Sequence, residues 1–384
     1  MRNFNFQNPT RILFGRGQIE AIAEQIPTEA RILLVAGGGS IRENGVLDQV
    51  RAALEGRTVH EFWGVEPNPD IAALTPALDI VRAESIDFIL AVGGGSVIDS
   101  AKLIAAAART EAEPWAILAK GARVTGALPL GVVLTLPATG SESNGAAAIS
   151  NRETGQKLVF VSQLCFPRFA VLDPETTFSL PLHQVSNGIA DAFVHVLEQY
   201  LTYPAGGLLS DRLAEALLIT LKEQGPLALR EPTNYEVRAN LMWAASLSLN
   251  GLIGQGVPQD WTTHHIGHEL TALFGLDHAR SLAVVLPAVL EARRQQKAEK
   301  LLQFGARVFG ISGTSDAEAI DATIAQTVAF FESLGIPTRL SAHGINEDAI
   351  PRIVAKLKFN RRLRMGERLD ITPEEAGKIL ALAL

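Results

Sequence analysis

A chain of 384 residues, 47% hydrophobic and 20% charged, holds enough apolar material for a large core and is long enough for two domains. With 41 acidic against 34 basic residues, a formal charge of -7 and no local run of Lys or Arg, it lacks the footprint of a nucleic-acid binder, so no nucleic-acid partner is expected. Its one cysteine, Cys165, cannot close an internal disulfide, and the start MRNFNFQNPT has neither a basic nor an apolar leader segment; a reducing, cytoplasmic setting is expected. Apolar stretches such as FILAV and GVVLTL fall far short of the roughly 20 residues that cross a bilayer, so no membrane partner is expected either.

In chain order, the runs RILLVA, IDFILAV, GVVLTLP and FAVLD read as short buried strands, and amphipathic helical patterns separate them. That alternation predicts parallel pairing with helices on both faces. After about Phe178 the strand signals fade, and helices are expected near 181–203, 207–224, 232–254, 259–274, 281–309, 316–335 and 346–358. Pro181, suited to a first helical turn, marks the boundary. The predicted fold is therefore an α/β nucleotide-binding domain over 1–180, with a parallel sheet that is Rossmann-like but non-classical. An all-helical domain over 181–384 follows, expected to carry metal and substrate. No fixed-period repeat or low-complexity tract interrupts either half.

The first glycine turn, Gly37 to Ser40, follows RILLVA, where an adenosine ribose commonly sits in such sheets. No acid stands at this strand end to repel a 2′-phosphate; Ser40 can hydrogen-bond one and Arg42 can supply charge, although Arg42 beside Glu43 also reads as an ordinary solvated residue. The second turn, in AVGGGSVIDSAK (Ala91 to Lys102), runs from an apolar strand directly into an Ala-rich helix. Its glycines let backbone N–H groups approach a pyrophosphate, while Asp99 can serve simply as a first-turn acid. It departs from the GxGxxG fingerprint, and no acid lies at the ~20-residue distance that would take a ribose hydroxyl. A third stretch, TLPATGSESN from Thr135 to Asn144, offers Thr135, Thr139 and Ser141 as hydroxyl donors, though such turns more often cap helices.

The helical half carries the sharper signal. Asp191 and His195 in IADAFVHVLE share one helical face among apolar neighbours, and four of the eight His lie between His264 and His278 in WTTHHIGHELTALFGLDHAR. A buried Asp and His are costly without partners, and one divalent metal would satisfy both. Spacing alone leaves open which of His264, His265 and His268 is a ligand. His60, His183 and His343 lie apart and read as surface or packing residues.

With these motifs in view, the chain resembles the iron-containing (group III) alcohol dehydrogenases, and within them the NADPH-dependent aldehyde reductases and butanol dehydrogenases, from FNFQNPTRILFG to the helices after His278. The resemblance implies metal ligands at Asp191, His195, His264 and His278, binding Fe2+ or Zn2+, with His268 as an additional active-site His. It implies an NADP(H) cleft at Gly94, Gly95, Ser96, Asp99, Asn68, Thr135, Thr139, Ser141 and Lys157. Relatives that use NAD carry an Asp near the position of Gly37, so glycine there implies NADPH, with Gly38 and Ser40 as phosphate contacts. It also implies a homodimer paired through the strand in TRILFG.

The expected reaction is hydride transfer between NADPH and short- to medium-chain or small aromatic aldehydes, with the alcohol as the other partner and Trp261, Phe274 and Leu276 as candidate pocket walls. The alternatives weighed are a 3-dehydroquinate-synthase-like or glycerol-dehydrogenase-like enzyme on a polyol or sugar phosphate, a cofactor-free metal hydrolase, and a metal-stabilised binding protein. The first would need a Lys/Arg cluster beside the ligands, and none is visible. The last would more usually close its site with Cys.

Overall fold

The computed structural model describes residues 1–313 and 315–384. By contacts it divides into an α/β unit, Gln7–Pro181 with Pro232–Ser246, and a helical unit, Met1–Phe6 with Leu182–Glu231 and Leu247–Leu384.

The α/β unit is built on β1 (Arg11–Phe14), β2 (Arg31–Ala36), β3 (Thr58–Phe62), β4 (Phe88–Gly94), β5 (Leu130–Leu136), β6 (Ala146–Asn151), β7 (Gln156–Val161) and β8 (Phe169–Leu172). Six of them form a parallel sheet in the order β1-β8-β5-β4-β2-β3, and β6 and β7 make a separate antiparallel hairpin. Helices α1 (Ile22–Gln25), α2 (Ser40–Glu43), α3 (Val46–Ala53), α4 (Thr75–Ala83), α5 (Gly95–Ala107) and α6 (Pro114–Ala119) connect them.

Side chains alternate across each strand, so both sheet faces need cover. Ile32, Leu34, Leu90 and Val92 pack with Val46, Leu47 and Val50 of α3 on one face, while Leu33, Val35, Ile89 and Ala91 pack with Val81 of α4 and Ile98 and Ala101 of α5 on the other. The chain leaves β2 toward one face and β4 toward the other. These adjacent strands therefore flank the topological switch point, outside whose carboxyl ends open α/β sheets bind their ligands.

The helical unit contains α7 (Leu182–Tyr200), α8 (Leu208–Arg230), the end of α9 (Tyr235–Ser248), α10 (Thr262–Phe274), α11 (His278–Ala292), α12 (Ala298–Phe304), α13 (Asp316–Ser333), α14 (Ala349–Phe359) and α15 (Pro373–Leu382). From Ile189 to Tyr200 every residue of α7 is buried, the signature of a central helix rather than an amphipathic surface one. Phe193 sits among Phe304, Phe330 and Phe331, its ring centroid 4.4 Å from that of Phe330. Helices α10 and α11 cross at Gly267, where a Cβ would lie 2.8 Å from Leu282 and 2.9 Å from Ser281. That close approach brings the His-rich face of α10 to the start of α11.

Several expectations shift in detail. The helix expected over 281–309 is α11, then α12, then a π-helical turn at Gly305–Phe309. Strand β3, the β6–β7 hairpin and α15 were not anticipated. The signal for α15 was present in the sequence: Thr372 accepts a hydrogen bond from the Glu375 N–H, and Pro373 occupies the first turn.

Candidate metal centre and nucleotide-binding edge

Asp191 and His195, four apart on α7, project from one face, as their spacing requires. The other members come from the first turn of α10 (His264) and the first residue of α11 (His278). Around Asp191 Oδ1 stand three ring nitrogens: His195 Nδ1 at 3.6 Å, His278 Nε2 at 3.7 Å and His264 Nε2 at 3.9 Å. These separations are too long for hydrogen bonds. Ligands about 2.1 Å from a tetrahedral ion stand roughly 3.4 Å apart, so the spacing suits a shared cation. Asp191, His195 and His264 form a buried cluster with the geometry of a metal site, and Asp191 Oδ1 and His195 Nδ1 are buried without a hydrogen bond. A bound cation would satisfy both atoms. Burial pushes the His195 imidazole down to about 4, against the attraction of Asp191, so at neutral pH its ring is neutral, the form that ligates.

Glu198 was not assigned from the sequence, yet it organises this centre. It lies seven residues after Asp191 and three after His195, on the same face of α7. One oxygen, Oε1, accepts the backbone N–H of Thr263 at 2.6 Å, capping α10; the other, Oε2, accepts the Nδ1–H of His264. The imidazole is thereby fixed in the tautomer that leaves Nε2 facing Asp191. Burial and the nearby Asp260 carboxylate push Glu198 up, while the Thr263 and His264 backbone N–H groups and the His195 ring favour its ionised form. The available sequence signal was a third polar residue in register with Asp191 and His195 on a largely apolar helix.

Trp261, with a left-handed φ of 63°, packs edge-on to His264 and His195, at centroid distances of 5.4 and 6.2 Å. His268 is buried with its ring 5.2 Å from that of His278 and 6.1 Å from that of His264. His265 faces elsewhere, its ring pushed down to about 3 by burial and by Arg362. Phe274 and Leu276 pack against the apolar core of α10, α11, α14 and α15. His183 is exposed, His60 lies 3.6 Å from Glu84, and His343 bonds the Pro337 carbonyl, none of them in the cluster.

In the α/β unit the expected nucleotide residues gather at the strand ends. Between Gly94 and Gly95 strand β4 becomes helix α5, and glycine is required by close packing: a Cβ on Gly95 would lie 2.6 Å from Thr139 Oγ1, and one on Gly93 2.6 Å from Val97. Ser96 follows in the first turn. Both oxygens of Asp99 are engaged within the protein, Oδ1 by the Ser141 hydroxyl at 2.6 Å and Oδ2 by the Ala148 N–H at 2.9 Å. Lys102, fully buried, donates to Ser141 Oγ, Asn144 Oδ1 and the Ala146 carbonyl. Asp99 and Ser141 thus build the 139–144 loop, and Thr139 Oγ1 accepts the Ser141 N–H. Thr135 is buried near the end of β5. Lys157 on β7 donates to Asn68 Oδ1 at 2.8 Å, pairing two residues 89 positions apart, with Asn68 itself at a φ of 53°. At the other strand end Gly38 and Ser40 are exposed, and a Cβ on Gly37 would meet the Val65 carbonyl at 3.4 Å.

Fold and donors together define a two-part molecule: a parallel α/β unit with glycine turns at its switch point, and a helical unit with an Asp/His cation centre. The sequence matches the family model for iron-containing alcohol dehydrogenase over residues 9–174 and that for the C-terminal region of the same family over 185–384, so the chain belongs to the iron-containing alcohol dehydrogenase family. It is 54% identical, over the full length of both chains, to the NADPH-dependent aldehyde reductase YqhD of Escherichia coli K12. The crystal structure of that E. coli protein superposes with a TM-score of 0.98, at 53% identity, covering 100% of this chain and 99% of that one. An NADH-dependent butanol dehydrogenase A from Thermotoga maritima, 35% identical over 100% and 99% of the two chains, superposes with a TM-score of 0.96.

Proposed function

We propose that this chain is a metal- and NADPH-dependent alcohol dehydrogenase that works as an aldehyde reductase on short- to medium-chain or small aromatic aldehydes. The observation that carries the reading is the ring of three imidazole nitrogens 3.6–3.9 Å from Asp191 Oδ1, in a chain 54% identical to an NADPH-dependent aldehyde reductase. Asp191, His195, His264 and His278 would hold the ion, Fe2+ or Zn2+, since an Asp/His3 set suits either. When bound, the ion supplies Lewis-acid polarisation of a carbonyl oxygen, and reduced nicotinamide supplies the hydride.

The chain's own residues do the rest. Asp191 contributes the single negative charge of the donor set, so the set together with a bound divalent ion would remain cationic. His195 stays neutral through burial, and Glu198 orients His264. His268 stands beside the donors without belonging to the ring around Asp191, its ring 5.2 Å from that of His278, and would deliver the proton to the product oxygen. The turns at Gly37–Ser40 and Gly94–Ser96, with the Asn68–Lys157 pair and the loop carrying Thr135, Thr139, Ser141 and Asp99, are the nucleotide edge. Glycine at position 37 removes the carboxylate that would repel a 2′-phosphate, which supports NADPH over NADH.

Loss of nicotinamide absorbance with butanal tests the reading, comparing NADPH with NADH before and after chelation and return of iron or zinc. NADPH-selective turnover that the metal restores is expected; no turnover with either cofactor and any aldehyde would overturn it. Two further elements belong to this reading. A cytoplasmic location is supported by the lone buried Cys165 and by the absence, among the described residues, of any helix long and apolar enough to cross a membrane. A homodimer is supported by β1 at the sheet edge; a monomer mass in sedimentation equilibrium would remove that element alone.

A further inference from the structure

After β2 the chain turns through Gly37–Gly39, with Gly39 at a φ of 120°, into the short helix α2, which carries Ser40 and Arg42. The segment after β3 runs alongside: the Gly64 N–H bonds the Gly37 carbonyl at 3.1 Å and the Val65 N–H bonds that of Ala36 at 3.2 Å. This sets Trp63 next to the turn, and the Arg42 guanidinium lies over its ring, 3.8 Å from the centroid. The Glu61 carboxylate, close enough to feel the Arg42 charge, directs its hydrogen bonds elsewhere. Glu61 takes the Trp63 indole N–H at 2.8 Å on one oxygen and Arg51 at 2.8 Å on the other. Among the described residues Arg42 forms no ion pair, so an exposed cation is left held flat on an aromatic face with its edge donors unclaimed by any carboxylate.

A guanidinium in that posture has lost part of its rotamer freedom before any ligand arrives, and its planar N–H fork matches the oxygens of a phosphate monoester. The pyrophosphate has its own place at the Gly94–Ser96 turn, on the other strand of the switch point. What remains for Arg42 and the exposed Ser40 hydroxyl is a second, separate phosphate at the adenosine end. We propose that Arg42, positioned by Trp63, is the specificity-determining cation that recognises the 2′-phosphate of NADPH. The inference rests on the NADPH reading above, and it names the residues that enforce it.

The test is calorimetric titration of the full chain with adenosine 2′,5′-bisphosphate and, separately, with adenosine 5′-monophosphate, two ligands that differ by the 2′-phosphate alone and need neither metal nor turnover. Replacing Arg42→Ala removes a charge-assisted hydrogen-bonding group, so affinity for the bisphosphate should fall roughly 10- to 100-fold while the monophosphate changes less than about threefold. Trp63→Leu leaves the cation but not its platform and should fall between wild type and Arg42→Ala, with Arg42→Lys retaining part of the preference. Equal losses for both ligands in Arg42→Ala would mean that the side chain stacks on the base or supports the turn, and the proposal falls. A wild-type preference for the bisphosphate that Arg42→Ala leaves intact would overturn Arg42 while sparing the NADPH reading; no preference in the wild type would remove both.

Discussion

Glu198 joins two secondary elements through one carboxylate, capping α10 with one oxygen and holding the His264 ring with the other. Replacing it by Gln keeps the volume but not the charge-assisted bond to Nδ1–H. Outer-sphere partners of this kind are worth about 10- to 100-fold in metal affinity, so Glu198→Gln should release metal at correspondingly lower chelator concentration, read by metal content after dialysis. Turnover should recover when metal is supplied in excess. His268 behaves differently at the same scale. It is packed against the donors without sharing the Asp191 oxygen, so His268→Ala should lower kcat by about 10²-fold or more with bound metal unchanged. Metal lost in proportion to activity would make it a ligand or a support instead of a proton donor.

Among the elements, α5 and the loop after β5 are locked by Lys102, whose ammonium is buried among Ser141, Asn144 and Ala146 beside Asp99. Burial drags this lysine from 10.5 down to about 8 despite the pull of Asp99. Between those two values the unfolded chain holds a proton that the folded chain has given up, so stability rises with pH from about 8 to 10.5, is lost again as pH falls from 10.5 to 8, and the cost of burying the ammonium is fully present and constant below about 8. Urea unfolding at pH 8 and pH 9.5 should show the wild type gaining on Lys102→Met by about 1–2 kcal/mol. A pH-independent difference between the two would show that the ammonium is as proton-binding when folded as when unfolded. The crossing of α10 on α11 makes the second prediction at this scale. With no room for a Cβ at Gly267, Gly267→Val should force the helices apart, costing about 1–3 kcal/mol of stability and weakening metal retention as His264 draws away from His278. Unchanged metal content in a folded Gly267→Val would show that the crossing does not set the donor spacing.

For the molecule as a whole, the centre holds Asp191 Oδ1 and His195 Nδ1 buried without hydrogen bonds, a cost that a bound ion relieves. Stripping the metal should therefore lower the unfolding temperature, and an ion at a hundred times its Kd should restore about 2.7 kcal/mol. Thermal unfolding that ignores chelator and added iron or zinc would mean that these groups do not bind a cation in the folded chain. The fold class was legible because buried parallel strands and central helices leave period-2 and all-apolar runs, as RILLVA and the Ile189–Tyr200 stretch show. Strand β3 and the β6–β7 hairpin are poorly marked in the sequence because the mixed run TVHEF, half exposed in the structure, and the small-residue strand AAAISN carry little of that signal.

By itself the sequence determined the chemical inventory: an Asp-x3-His pair and a His cluster on helices, glycines at two strand ends, and no carboxylate at position 37. Helical periodicity settles which residues share a face of one helix, because that geometry is local. Only the tertiary structure decided which imidazoles meet Asp191. That outcome depends on α10 and α11 crossing at Gly267 and on a carboxylate from α7 capping α10, contacts between residues far apart in the chain. The same holds for Asp99 and Arg42. One acid turned inward to brace a loop and one arginine rested on a tryptophan 21 positions away, because burial and packing partners, which no local pattern specifies, decide where a charged side chain can go.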